Sequence, residues 1–177
     1  MIDFTFCNRL PEILSTGRLV LRRPDEADAE AMSRLANNKK IHAVTSHMPY
    51  PYTLKDAIEF INKTSRSKTE HAFSVHTRDG DFIGTFGFTN RNDFVEIGYW
   101  FGEVYWGEGY ASEVVATMVE QAFTAGCSKI SARAISSNRA SCRVLEKSGF
   151  LKTGERLGDC GQHNGVSISF YEREQGR

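Results

Sequence analysis

Residues 94–113 read FVEIGYWFGEVYWGEGYASE, and the change of period inside this stretch decides the architecture. From Phe94 to Phe101 the pattern suits a strand. Two glycines, Gly107 and Gly109, follow in a short turn, and from Ala111 onward the apolar residues Val114, Val115, Met118, Val119, Ala122 and Phe123 recur at helical spacing up to Gly126. The stretch is therefore a strand, a glycine turn and the start of a helix. Such a turn has two readings. It either points the unpaired amides of a helix N-terminus at an anion, with no Cβ to keep the anion away, or it is a tight corner that binds nothing.

Upstream, Asp79-Gly80 lies between the runs AFSVHT and FIGTFGFT, the pattern of a β-hairpin, so the strand at 94–101 is the third of an antiparallel meander. This order excludes a dinucleotide fold. The segment GEGYAS gives G-x-G-x-x-S, without the third glycine and without the parallel strand-helix-strand unit which that fingerprint requires. The Lys and Ser/Thr of a nucleotide P-loop are missing too.

Around this centre, RLVLRR (18–23) alternates as a half-buried strand, and DEADAEAMSRLANN reads as a helix with acids in its first turn. Thr53 opens a further helix, TLKDAIEFINKT, whereas residues 38–52 show no clear period. This helix-loop-helix is placed to wall a substrate pocket. After the central helix come a strand, KISARAI, and a helix that Asn138 caps and Gly149 ends, with Phe150 folding back on Leu145. A last hairpin pairs about 150–155 with 166–172.

With 177 residues, 40% hydrophobic and 25% charged, the chain suits one domain spanning 1–177. The 22 Lys and Arg balance the 22 Asp and Glu, so no global charge directs it to a nucleic acid or a membrane surface. No run approaches the roughly 18 apolar residues of a membrane span, and the N-terminus lacks the basic and apolar parts of a leader. Cys7, Cys127, Cys142 and Cys160 form no C-x-x-C pair, which suits a reduced, cytoplasmic setting. No histidine pair has metal-ligand spacing, and His71 and His76 fall on opposite faces of one strand, so no metal is expected.

Three separated segments, TGRLVLRRP, EIGYWFGEVYWGEGYASE and NRASCRVLEKSGF, resemble the GNAT superfamily of N-acetyltransferases, and more narrowly its RimJ/RimL branch, over about residues 15–172. The resemblance implies an α/β (α+β) fold with a mostly antiparallel, splayed sheet of six to seven strands and about four helices. It implies acetyl-CoA as cosubstrate and a primary amine as acceptor: a protein or peptide N-terminal α-amine first, a small-molecule amine such as an antibiotic or polyamine second. It is also compatible with a homodimer, and with a binding domain that has lost turnover.

Residue by residue, the resemblance places the pyrophosphate of coenzyme A on Trp106, Gly107, Glu108, Gly109, Tyr110, Ala111 and Ser112, with Trp106 departing from the usually polar first position. It places the pantetheine arm along the splayed strand at Ile97–Phe101, which includes Tyr99, Trp100 and Phe101, and beside Asn138. Ser141 matches a serine near the thioester sulfur. Leu145 stands where many members have a tyrosine acid. Backbone amides at Tyr99–Phe101 are the expected oxyanion donors. Glu96, just before the splay, is the candidate base or water-relay residue, although a structural role for it fits the sequence equally. Arg139 and Arg143, one turn apart, have a solvated face or a ligand phosphate as alternatives.

Overall fold

The meander expected from the sequence forms the middle of a larger sheet. In the computed structural model, which describes residues 4–91, 94–158 and 161–176, strands β1 (Ile13–Ser15), β2 (Leu19–Arg22), β3 (Glu70–Thr77), β4 (Phe82–Asn90), β5 (Val95–Phe101), β6 (Lys129–Ile135), β7 (Leu151–Leu157) and β8 (Ser167–Glu174) lie in the order β1-β2-β3-β4-β5-β6-β8-β7. Among the described residues this makes eight strands, one or two more than expected. The extra edge strand β1 spans three residues, too few to show a period, and buries only Leu14. Among the described residues five α-helices accompany the sheet: α1 (Ala29–Ala36), α2 (Lys39–Val44), α3 (Leu54–Arg66), α4 (Tyr110–Thr124) and α5 (Arg139–Lys147). The helix beyond expectation is α2, six residues inside the aperiodic segment 38–52, started by the Asn38 side chain accepting from Lys40 N–H and Ile41 N–H. Cys160 lies outside the described residues.

Each face of the sheet carries its own core. Helix α4 buries Val114, Val115, Met118, Val119, Ala122 and Phe123 against Phe73, Phe86 and Phe88, as its 3.6-residue period requires. On the other face, α1 and α3 pack Ala29, Met32, Ala57 and Ile61 against Phe82 and Trp100. Strict alternation would put Phe82 on the same side as Phe86 and Phe88. A register shift between Val75 and His76 turns it to the α1–α3 side instead.

Neighbouring strands pair antiparallel everywhere except β5 with β6. That parallel pairing covers only Val95↔Ile130, Glu96↔Ser131 and Ile97↔Ala132. Beyond it, β5 stays with β4 up to Phe101, and β6 stays with β8 up to Ile135, so the sheet forks. Gly84 keeps the β4 side of the fork tight: a Cβ there would sit 2.2 Å from the Trp100 carbonyl oxygen, so any other residue would push β5 away.

The start of α1 is fixed to the sheet by a buried carboxylate. Asp28, 3% exposed, accepts from Ser74 Oγ at 2.7 Å and from both terminal nitrogens of Arg22 at 3.0 and 2.8 Å, and lies 2.9 Å from His76 Nε2. Burial alone would raise its pKa, yet the contacts with His76, Ser74 and Arg22 outweigh burial and hold the carboxyl well below the usual carboxylate range. A folded-state pKa below the unfolded one gives stability that is present above the unfolded pKa, near 3.9, and is lost as pH falls. Asp28→Ala should therefore cost about 3–5 kcal/mol in urea unfolding at neutral pH. The gap between wild type and Asp28→Asn should narrow as the pH drops below about 4; a gap that stays constant would contradict the account.

Candidate active site

Beyond β5 the chain makes a short 3₁₀ turn at Glu103–Tyr105 and reaches α4 through Gly107 and Gly109, whose φ angles are +83° and +79°. A side chain is strained in that region, which explains the two glycines. The first bond of α4 runs from Glu113 N–H to Gly109 C=O, so the amides of Tyr110, Ala111 and Ser112 lie ahead of the helical ladder. They form a small donor-rich corner at the positive end of a 15-residue helix.

Arg18 clamps this corner from β2's side. Its Nη1 donates to the Glu108 carbonyl at 2.9 Å, its Nε meets Glu113 Oε2 at 2.7 Å, and its guanidinium lies 4.5 Å from the Tyr110 ring centre. Thr16 Oγ1 and Arg18 N–H donate to the other Glu113 oxygen. Glu113 is thus turned back onto Thr16 and Arg18, and it stabilises the turn. Its pKa is lowered: burial pushes it up, but the bonds from Thr16 and Arg18 prevail. Trp106 has a mechanical role as well, because its Nε1 donates to the Phe101 carbonyl at 2.7 Å and ties the turn to the end of β5.

The fork and the corner open into one cleft of about 1490 Å³. Every site residue expected from the sequence lines it except Glu108. Phe101 is 6% exposed and lies in the core, so it offers the cleft mainly backbone. Gly98 is exposed at the fork. From the opposite prong, the Asn138 side-chain oxygen caps α5 by accepting from Ser141 N–H at 3.3 Å, so the capping role read from the sequence is filled. Tyr99 Oη lies 2.9 Å from Ser141 Oγ, a hydrogen bond that crosses the fork. Burial pushes the Tyr99 phenol up to about 12 despite the Ser141 contact, so it remains protonated at neutral pH. Leu145, one turn further on, is buried.

Glu96 lies at the root of the fork between two arginines, with Oε1 hydrogen-bonded and the buried Oε2 in ion-pair contact but without a hydrogen bond. Arg133 Nε is 2.8 Å from Oε2, Arg133 Nη2 donates to Oε1 at 2.9 Å, and Arg91 Nη2 donates to Oε1 at 3.3 Å. Neither arginine stood out in the sequence, because Arg91 follows a strand and Arg133 occupies an ordinary outward position of one. His71, also unpredicted, lines the cleft. Burial and the nearby Arg23 charge push its imidazole down to about 4, so it is neutral near pH 7. Of the two α5 arginines, Arg143 lines the cleft, joined by Lys147 one turn later, and Arg139 is exposed outside it.

Comparison with known proteins agrees with this geometry. The acetyltransferase (GNAT) domain family matches residues 18–151. An uncharacterised N-acetyltransferase, p20, of Bacillus licheniformis is 31% identical over 150 residues, 81% of this chain and 84% of the relative. A second, YoaA of Bacillus subtilis, is 33% identical over 150 residues, covering 80% and 84%.

Among solved structures, a GNAT-family acetyltransferase from Bacillus anthracis superposes with a TM-score of 0.82 at 23% identity, covering 93% of this chain and 99% of the other. RimL, a ribosomal alpha-N-protein acetyltransferase solved with coenzyme A, gives 0.80 at 19% identity over 92% and 98%. A spermidine N-acetyltransferase from Vibrio cholerae, solved with CoA and spermine, gives 0.77 at 20% over 90% and 97%. The forked sheet, the amide corner that follows it and a family match over most of the chain have one meaning: this chain belongs to the GNAT acetyltransferase family and is an acyl-CoA-dependent N-acetyltransferase.

Proposed function

We propose that the chain acetylates a protein or peptide N-terminal α-amine, by direct attack of the amine on acetyl-CoA while both are bound. The observation that carries the acceptor reading is the state of the cleft's acids and bases. Among the described residues four carboxylates line the cleft, and each has a partner: Glu96 with Arg133 and Arg91, Glu70 with Lys63 at 2.9 Å, Glu59 with Lys55 at 3.7 Å, and Asp56 with Thr53 in a helix cap. A polyamine would need open carboxylates along its length. The His71 imidazole, at about 4, is a poor base near pH 7. With its described lining carboxylates paired, and His47 beside His71 as its lining imidazoles, the cleft favours an acceptor that deprotonates readily. At pH 7 an α-amine near pKa 7.8 is about 14% neutral, against about 0.04% for a lysine near 10.4.

Acetyl-CoA supplies an activated thioester, and the protein's part is to hold and orient it. The amides of Tyr110–Ser112 and the turn at Trp106–Gly109 take the pyrophosphate, and the unpaired edge of β5 at Gly98–Phe101 takes the pantetheine arm as an added strand. The same edge offers N–H groups to the oxyanion, and Ser141 offers its hydroxyl to the sulfur. Glu96, the sequence's candidate base, is held in ion pairs by Arg133 and Arg91, with Oε1 taking their hydrogen bonds and Oε2 taking none. In this reading it holds Arg133 and Arg91 in place, and the amine loses its proton to water. A second reading, a small-molecule amine as acceptor, draws on the likeness to the spermidine enzyme, which is of the fold alone.

Three outcomes follow. Gly109→Val, which places a β-branched residue at φ +79°, should abolish acetyl-CoA binding in calorimetry while the protein stays folded by circular dichroism; retained binding would remove the turn from the site. With N-terminal peptides and spermidine side by side, kcat/KM should favour peptides by at least about 10-fold and rise with pH through the α-amine pKa near 7.8. A preference for spermidine would transfer the acceptor to the second reading and leave the acetyl-CoA site intact. Glu96→Gln should lower the rate without moving the midpoint of that pH profile, and a lost or shifted basic limb would return the base role to Glu96.

A further inference from the structure

We propose that Tyr99 is a positioning residue that sets the Ser141 hydroxyl, turning its proton into the cleft toward the departing sulfur. The inference rests on the acetyl-transfer reading above and assigns a task to a side chain that the sequence placed only along the cofactor. Tyr99 stands on β5 just past the last β5–β6 pair, and Ser141 is the third residue of α5. Their hydroxyls meet at 2.9 Å across the opening, and Tyr99 Oη also lies 3.5 Å from the Ser141 carbonyl oxygen.

Hydroxyl chemistry gives the bond a direction. A serine side chain has one proton and two lone pairs. In a helix it ordinarily donates back to a carbonyl three or four residues earlier. Among the described residues Ser141 Oγ makes no such bond to Ser137 or Asn138, and Tyr99 is the side chain that meets it. The phenol is the more acidic of the two groups, hence the better donor. When Tyr99 donates to Ser141 Oγ, the serine proton is left to a third atom in the cleft. Helix α5 offers no second hydroxyl one turn on, because Leu145 is there and buried.

Tyr99 acts through Ser141 and is not itself the acid. A phenol near 12 gives its proton to a thiolate near 8.5 only against a gradient of more than roughly three powers of ten. The amine nitrogen bonds to the acetyl carbonyl carbon and its proton goes to water, the C–S bond breaks with its electron pair on sulfur, and the Ser141 O–H bond steadies that charge until the thiolate is protonated from solvent. Removing the phenol hydroxyl leaves Ser141 in place but free to rotate.

The test uses Tyr99→Phe, Ser141→Ala and the double variant in the full chain. Tyr99→Phe should lower kcat by roughly 5- to 10-fold, about the worth of one neutral hydrogen bond, with KM for acetyl-CoA within about 2-fold of wild type. Ser141→Ala should cost more, roughly 100-fold, and adding Tyr99→Phe to it should change nothing further. A readout independent of turnover is the ultraviolet titration of the thiol of bound coenzyme A. Its pKa should rise in Tyr99→Phe and in Ser141→Ala, and rise no further in the double variant. Equal rate losses from Tyr99→Phe in both backgrounds, or an unmoved thiol titration, would overturn the proposal. If wild type fails to bind coenzyme A at all, the reading of the cleft falls, and this one falls with it. If Tyr99→Phe is misfolded, Tyr99→Leu takes its place in the same titration, with the same rise expected and an unmoved thiol pKa again overturning the proposal.

Discussion

β5 and β6 share three residue pairs, and the site depends on their sharing no more. Had the parallel pairing continued past Ile97 and Ala132, the backbone of Gly98–Phe101 would be spent inside the sheet. No edge would then remain for an extended ligand arm. The fork is stable because each prong keeps its outer neighbour: β4 holds β5 through Phe101, and β8 holds β6 through Ile135. What the prongs lose on the inside is partly replaced by side chains. Tyr99 meets Ser141 across the gap, and Arg133 meets Glu96 at its root. The sheet is therefore pinned above and below an opening whose backbone groups face the cleft.

The loop after β5 shows how local bonds turn a glycine corner into a ligand-ready one. Two positive-φ glycines bring the chain around, the Trp106 indole fastens it to the Phe101 carbonyl, and Arg18 with Thr16 fastens it to α4 through Glu113. Each acid near the corner is turned outward or paired. The donor groups of α4's first turn are left to face the cleft. On the acceptor side, each lining carboxylate among the described residues has a partner, and His71, which burial holds low, is neutral.

Much of the fold was legible because its elements are long and periodic: the meander, α4 and the capped α5 all lie within a residue or two of their expected places. What could not be read was short or depended on register. Strand β1 and helix α2 have too few residues for a period, and the bulge that sends Phe82 to the α1–α3 core leaves no mark on the alternation. For the site, the glycines and Asn138 could be read because each has a backbone task with a known sequence preference. The pairing of Glu96 with Arg91 and Arg133 could not, since Arg133 comes to it from a strand 37 residues away. The Tyr99–Ser141 bond was hidden in the same way: both residues stood out, but only folding brings them within 2.9 Å.

The central claim is that the free edge of β5 and the first turn of α4 act as one binding surface. Hydrogen–deuterium exchange with and without acetyl-CoA tests it most directly, because it reads the backbone amides themselves. The account predicts that the amides of Gly98–Phe101 and Tyr110–Ser112 gain protection together on addition of acetyl-CoA, at a common half-saturating concentration. Protection of one segment without the other, or of neither, would contradict it.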